Sequence, residues 1–164
     1  MRLFHNVSEP EAFFRPDIWH CYHGGAGKLF VASALAEALA LFDGSMDNRV
    51  EQMAEALRTW AKKPGNQLPH SGQFCKERIQ LTSYQVLPDA SWSKFNDTYV
   101  YHRFLEWLLM ENLEQVSDNE TLKTILDATR CINRSFKILY QSGLFLTSAE
   151  ALEAGQLGRA FLRL

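Results

Sequence analysis

The chain has 164 residues, 46% of them apolar, with 17 basic and 19 acidic side chains and a formal net charge of −2. That length and apolar share match one compact domain with a real core, and the scatter of charges excludes the basic footprint of a nucleic-acid binder. Cys21, Cys75 and Cys131 form no close pair and no signal-like segment precedes Arg15, so a reducing compartment, the cytosol, is expected.

Residues 1–22 carry Phe4, Phe13 and Phe14 among Pro10 and Pro16 without a sustained period. They read as an arm packed by its aromatics, with one short helical turn after Ser8. Ile18, Trp19 and Tyr22 favour an extended approach to the glycines that follow. From Gly27 the positions Phe30, Val31, Ala34, Leu35, Ala38, Leu39 and Phe42 recur at three and four, which predicts a helix that Gly44 ends. The apolar run 29–42 contains Ser33 and Glu37 and is too short to cross a bilayer, so no membrane span is expected. A second helix is predicted to open at Asp47 or Asn48, where Asn48 and Glu51 have capping-box spacing. Its stripe is Val50, Met53, Ala54, Leu57, Trp60 and Ala61, and Pro64-Gly65 stops it. Residues 26–62 therefore read as a helical hairpin.

Residues 63–90, punctuated by Pro69, Gly72 and Pro88, read as an irregular connection, a length often given to binding segments or lids. A third helix over 91–115 carries Trp92, Phe95, Tyr99, Leu105, Leu108, Leu109 and Leu113. Ser117 and Glu120 form a Ser-x-x-Glu start for a fourth, with Leu122, Ile125, Leu126, Ile132, Phe136 and Leu139 inside and Gly143 at its end. Thr147 and Glu150 start a fifth, whose stripe is Leu152, Leu157, Ala160, Phe161 and Leu164 and which Gly155 and Gly158 weaken. The expected fold is an all-α bundle of about five helices in one domain, 1–164, with a three-helix segment over 91–164.

The chemistry-bearing residues gather at 20–28. Glycines that admit a close ligand, followed by a helix N-terminus, suit a phosphate, a carboxylate or a cofactor edge, with Gly24, Gly25, Gly27 and Lys28 as the ligand-binding set. As a phosphate loop the pattern is divergent, because Tyr22 stands where its first Gly belongs and Leu29 where its Ser or Thr belongs. His20, Cys21 and His23 lie together, and His5, His70, Cys75 and His102 could approach them. No Cys-x-x-Cys or His-x-x-x-His spacing supports zinc, and no metal is expected. Cys21 beside His20 or His102 as thiolate and base rests on residue type alone. Trp60, Trp92 and Trp107 read as core, and the surplus of aromatics also suits a protein interface.

Gly24-Gly25-Ala26-Gly27, the helix after it, and Leu41-Phe42-Asp43-Gly44 with Asp47-Asn48 and a further helix resemble the carboxy-terminal part of acyl-CoA oxidases and dehydrogenases. There a Gly-Gly-x-Gly turn precedes a Phe/Tyr-Glu-Gly segment and another helix. The run from Trp92 through Leu122 to Gly143-Leu144-Phe145-Leu146 is also similar to the closing helices of the oxidases, so the resemblance covers most of 21–164. It implies Asp43 at the place of the base that removes the acyl-CoA α-proton, and the glycine stretch against FAD. The sequence departs from that pattern by Asp for Glu and by two residues between Gly44 and Asp47-Asn48. The amino-terminal helical domain and β-domain that enclose flavin and thioester cannot fit in 164 residues. The expected function is therefore a non-enzymatic helical interaction protein without a cofactor, an adaptor, inhibitor or assembly subunit, with another protein or a further copy of the chain as partner. The alternatives are a bundle that binds FAD or acyl-CoA, and a divergent nucleotide-binding loop at 24–28.

Overall fold

Apolar residues spaced by three and four leave one side of a helix dry, and here that pattern yields helices only: six α-helices and no strand among the described residues. The computed structural model describes residues 18–81, 88–92, 94–143 and 145–164, and of Trp19 the backbone alone. The all-α bundle expected from the sequence is the observed fold. The aromatic arm over 1–17, with its turn after Ser8, lies outside the described residues.

A π-wound segment, Trp19–Ala26, runs directly into α1, Gly27–Ala38, and one 3-10 turn, Leu39–Leu41, follows. The extended approach expected here is thus replaced by helix, and the glycine stretch breaks that helix with a kink at Gly25. The stretch His20–Leu41, kinked at Gly25, is 22 residues long, and by length and composition alone it could cross a membrane. In the fold its Val31, Ala32, Ala34, Leu35 and Ala38 are core residues. Gly44, with φ +93°, turns the chain into α2, Met46–Ala61. Ser45, rather than Asn48, caps α2 by accepting the Asn48 N–H, because its β-region backbone already faces the open turn. Gly65, φ +78°, closes the far end as expected.

The central element is α3, Phe95–Glu111, whose Val100, Tyr101, Phe104, Leu105, Leu108 and Leu109 are buried. Trp60 of α2 meets Phe104 at 5.8 Å. The helix foreseen over 91–115 is broken at Asn112 (φ −114°, ψ 33°), after which α4, Leu113–Ser117, forms one short turn. Ser117 is consequently no cap: its hydroxyl donates to the Leu113 carbonyl. Asn119 starts α5, Glu120–Gln141, by accepting the N–H groups of Thr121 and Leu122. The box at Thr147 is complete, the Thr147 hydroxyl accepting the Glu150 N–H and the Glu150 carboxylate accepting the Thr147 N–H. It opens α6, Ser148–Phe161, which lies back along α5 as an outer layer with Ala154 as its one fully buried residue. Leu152, placed inside by its spacing, is exposed, because α6 turns Ala154 rather than Leu152 onto α5.

The connection between α2 and α3 is irregular, as expected, apart from the 3-10 turn Lys76–Arg78. Its described part is bolted down rather than loose. The buried Asp97 carboxylate accepts the His70 and Ser71 N–H groups at 2.7 and 2.8 Å, and Arg103 donates to the Gly65 carbonyl and the Asn66 side chain. Phe74 and Ile79 plug the core beneath it.

These burials set a clear order of mutational cost. Leu57→Ala and Leu126→Ala should each lose about 2–5 kcal/mol in urea unfolding, whereas Leu152→Ala should stay within about 0.5 kcal/mol of the wild type. Equal costs at Leu126 and Leu152 would contradict the observed orientation of α6.

Candidate interaction site

In the π-wound segment the chain gains one residue per turn, and the Gly27 N–H donates to the Tyr22 carbonyl, five residues back, as well as to that of Gly25. Gly27 therefore does not present a bare helix N-terminus to an anion. Gly25 carries the kink, with φ −118° and ψ −116°. The glycines are required by side chains instead. A Cβ on Gly24 would stand 2.5 Å from the Phe95 ring, and one on Gly27 would stand 2.2 Å from the Tyr22 ring. Both rings can come this close to the backbone only because those positions have no side chain.

Tyr22, so placed, anchors a cluster of rings and imidazoles between the π-wound segment, α3 and α5. Its hydroxyl is hydrogen-bonded to His102 Nε2 at 2.8 Å, and its ring stacks on that imidazole at 5.6 Å. One residue on, His23 Nε2 is hydrogen-bonded to the Tyr140 hydroxyl at 2.5 Å, with the Phe136 ring 4.8 Å from the imidazole. The His23 carbonyl accepts from the Thr98 hydroxyl, which itself accepts from Trp92 Nε1. Burial strips water from the imidazoles, so His102 falls to about 3 and His23 to about 4; the neighbourhood of His23 lowers His102 further. Burial raises the Tyr22 phenol and lifts Tyr140 to about 12. All four groups are neutral near pH 7. They hold geometry by uncharged hydrogen bonds, and the cluster carries no charge to a ligand.

The cluster continues outward into a groove. Phe161, near the end of α6, touches Tyr22 at 5.7 Å and Phe30 of α1 at 5.0 Å, and Phe30 in turn stacks on His102. Between α1, α5 and α6 these rings leave an open cleft of about 500 Å³, walled by Phe30, Ile125, Ala128, Phe161 and Leu164, with Glu120, Thr121 and Thr124 on its polar edge.

The other sequence candidates do not converge on one place. Asp43 is exposed beyond α1, its carbonyl accepting from Gln52 Nε2 at 2.8 Å; the 12 residues of α1 put about 18 Å of helix between it and the glycine stretch. Lys28 is half-buried on the first turn of α1. Cys21 faces solvent while His102 is fully buried against Tyr22. His70 joins Asp97 at 3.2 Å, far along the chain from His23. Among the described residues no group of three or more His, Cys, Asp or Glu is placed to hold a metal ion. Sequence reasoning missed the two Tyr–His pairs, whose members lie 80 and 117 residues apart. It also missed the groove, although Phe30 and Phe161 both stood on foreseen helical stripes.

Two measurements check this account. Gly27→Ala should cost about 1–3 kcal/mol, because a methyl group forces the hydrogen-bonded Tyr22 ring to move. Gly158→Ala, which meets open space on α6, should instead stabilise by roughly 0.5–1 kcal/mol. The second concerns pH. In the unfolded chain the imidazoles take up protons below 6.5, while in the fold they stay neutral until about 4 for His23 and about 3 for His102. The unfolded state thus binds more protons, and stability present above pH 6.5 should fall as the pH drops from there towards 4. The slope is at most about 1.4 kcal/mol per pH unit for each ring. Urea unfolding at pH 7 and 5 should show that loss, and the pair Tyr22→Phe with His102→Phe should reduce it. A flat wild-type profile would mean that the rings are not held neutral.

The chain matches no protein-family model, no curated protein and no solved structure, which leaves the groove and the cluster behind it as the ground for a function.

Proposed function

We propose that this chain is a non-catalytic helical interaction protein whose groove between α1, α5 and α6 receives apolar side chains of another polypeptide. The observation that carries this reading is where the exposed apolar residues lie. At the end of α6, Leu162 and Leu164 are 79% and 57% exposed, and Leu164 lines the cleft. Solitary exposed leucines are ordinary, but an exposed leucine on the wall of an apolar cleft fits a recognition surface. The groove has an apolar centre and a polar edge, the distribution found at protein interfaces. Its inner wall, Phe30, is held by the neutral Tyr–His cluster, so that half of the cleft is set in shape before a partner arrives, which lowers the ordering cost of binding.

The test is site-specific photo-crosslinking in the protein's own cells, with Thr124→p-benzoylphenylalanine at the groove edge and Glu55→p-benzoylphenylalanine on the outer face of α2 as control. A discrete polypeptide adduct from position 124 alone is expected, and its yield should drop with Leu164→Asp while the thermal midpoint holds. The readings implied by the acyl-CoA oxidase resemblance and by the glycine loop are met by a thermal-shift screen with FAD, acyl-CoA and ATP. Stabilisation by any of the three that disappears in Lys28→Ala would displace the interaction reading.

A further inference from the structure

We infer that Ser71, Arg78 and Tyr101 together hold one small monovalent anion, a halide such as chloride, beneath the connection between α2 and α3. The inference stands apart from the interaction reading above, since none of these residues lines the groove. Among the described residues, Ser71 Oγ, Arg78 Nε and Tyr101 Oη are all closed to solvent and have no hydrogen-bond partner. Buried polar groups of folded proteins are almost always partnered by protein, water or an ion, so three orphans gathered around one ring call for a ligand.

Local structure brings the three together. Asp97 and Tyr101 stand one turn apart on the buried face of α3. The Asp97 carboxylate accepts the Ser71 N–H at 2.8 Å, which lays Ser71 against that turn, and Phe74 packs on the Tyr101 ring at 6.2 Å. On the other flank the Arg78 carbonyl accepts the Ser91 N–H at 2.8 Å, and the adjoining Trp92 ring meets Tyr101 at 4.8 Å. The Ser71 hydroxyl and the Arg78 charge are both close enough to the phenol to act on it, yet no hydrogen bond forms among these groups. Burial lifts Tyr101 to about 12, so its proton stays on at neutral pH and is free to donate.

The count of protons and charges selects the ligand. Arg78 Nε–H is a donor only, and each hydroxyl brings one proton to place. Asp97 is already engaged by the His70 and Ser71 N–H groups and by His70 Nδ1. A water adds two more protons to a set in excess, whereas a halide accepts from all three donors and adds none. Among the described residues Arg78 forms no ion pair, so an anion also supplies its missing countercharge. The nearby Asp97 charge disfavours a divalent ion, and closure of all three atoms to solvent favours a monatomic ion over a carboxylate or phosphate. So bound, the halide fastens the connection at residues 71 and 78 to the central helix.

The experiment follows the thermal midpoint of the whole chain while chloride replaces gluconate at constant ionic strength, which fixes the screening. Raising chloride from about 2 to about 200 mM should lift the midpoint by roughly 3–6 °C, the mass-action effect of a ligand bound only by the folded state. Tyr101→Phe and Ser71→Ala each remove one donor and should shift the chloride dependence to at least tenfold higher concentration. Arg78→Met should abolish it, and Arg130→Met, at an exposed arginine on α5, should leave it unaltered. Crystals soaked in bromide should show an anomalous peak in contact with all three polar atoms. A wild-type midpoint indifferent to chloride, or a response that survives Arg78→Met in full, overturns the anion site. A bromide crystal with only water at those atoms overturns it too, and the wild-type titration and that crystal decide the matter even where a variant fails to fold. None of these outcomes moves the crosslink from position 124, which tests the groove by itself.

Discussion

The contact between Tyr22 and the backbone at Gly27 governs more of this structure than any other. A phenol ring lies where a Cβ at Gly27 would be 2.2 Å away, and from that seat its hydroxyl reaches His102 on α3 while its ring edges meet Phe136 of α5 and Phe161 of α6. Four elements are thus registered against one side chain. Regular α-helical winding would rotate Tyr22 away from the residues that follow it. The π-wound segment takes up an extra residue per turn, so that Tyr22 and His23, neighbours in sequence, both engage the buried face. The winding is locally unfavourable, and the packing of two histidines and several aromatic rings over it offsets that cost.

How much of this could be read from residues alone depended on whether the signal was local. The Thr147–Glu150 box and the stops at Gly44 and Gly65 involve neighbours within a turn, and all three act as the sequence indicates. Asn48 and Ser117 were misread, by three and two residues, because Ser45 and Asn119 compete for the same open N–H groups and hold the better backbone position. The glycines at 24–27 misled for a deeper reason. A glycine signals either a special backbone angle or a close approach of something else, and only the tertiary partner decides which. Here the partners are Phe95 and Tyr22, and the angles at Gly24 and Gly27 are not left-handed. The Tyr22–His102 and His23–Tyr140 pairs leave no periodic trace at all, since each joins a single position to another across most of the chain.

The neutral state of the two imidazoles links interior to surface. A charged His102 would have to keep its proton hydrated in a site closed by Tyr22, Phe30 and Phe136, and the outer wall of that site is also a wall of the groove. Phe30 stacks on His102 on its inner side and faces the cleft with Phe161 on its outer side. Protonation therefore works against the seat of the groove as well as against folding, and groove shape and histidine neutrality rise and fall together.

The weak partner in that arrangement is α6. Only Ala154 is fully buried along its 14 residues, and two glycines lower its intrinsic helicity. What holds it to α5 is a polar clasp, with Arg134 paired to Glu153 at 2.5 Å, the Ser135 hydroxyl on the Ala154 carbonyl and the Ser142 hydroxyl on Glu150. At the opposite end it is held by Phe161 among the rings. Exposed ion pairs contribute little, so α6 belongs among the elements of lowest local stability. The groove exists only while α6 is docked, since Phe161 and Leu164 form one wall. A ligand that fills the cleft binds the docked state alone and by mass action stabilises the helix that completes its own site. Occupancy of the groove and order in α6 are for that reason one equilibrium, and the aromatic core beneath, fixed by Tyr22 over Gly27, is the unmoving half against which it operates.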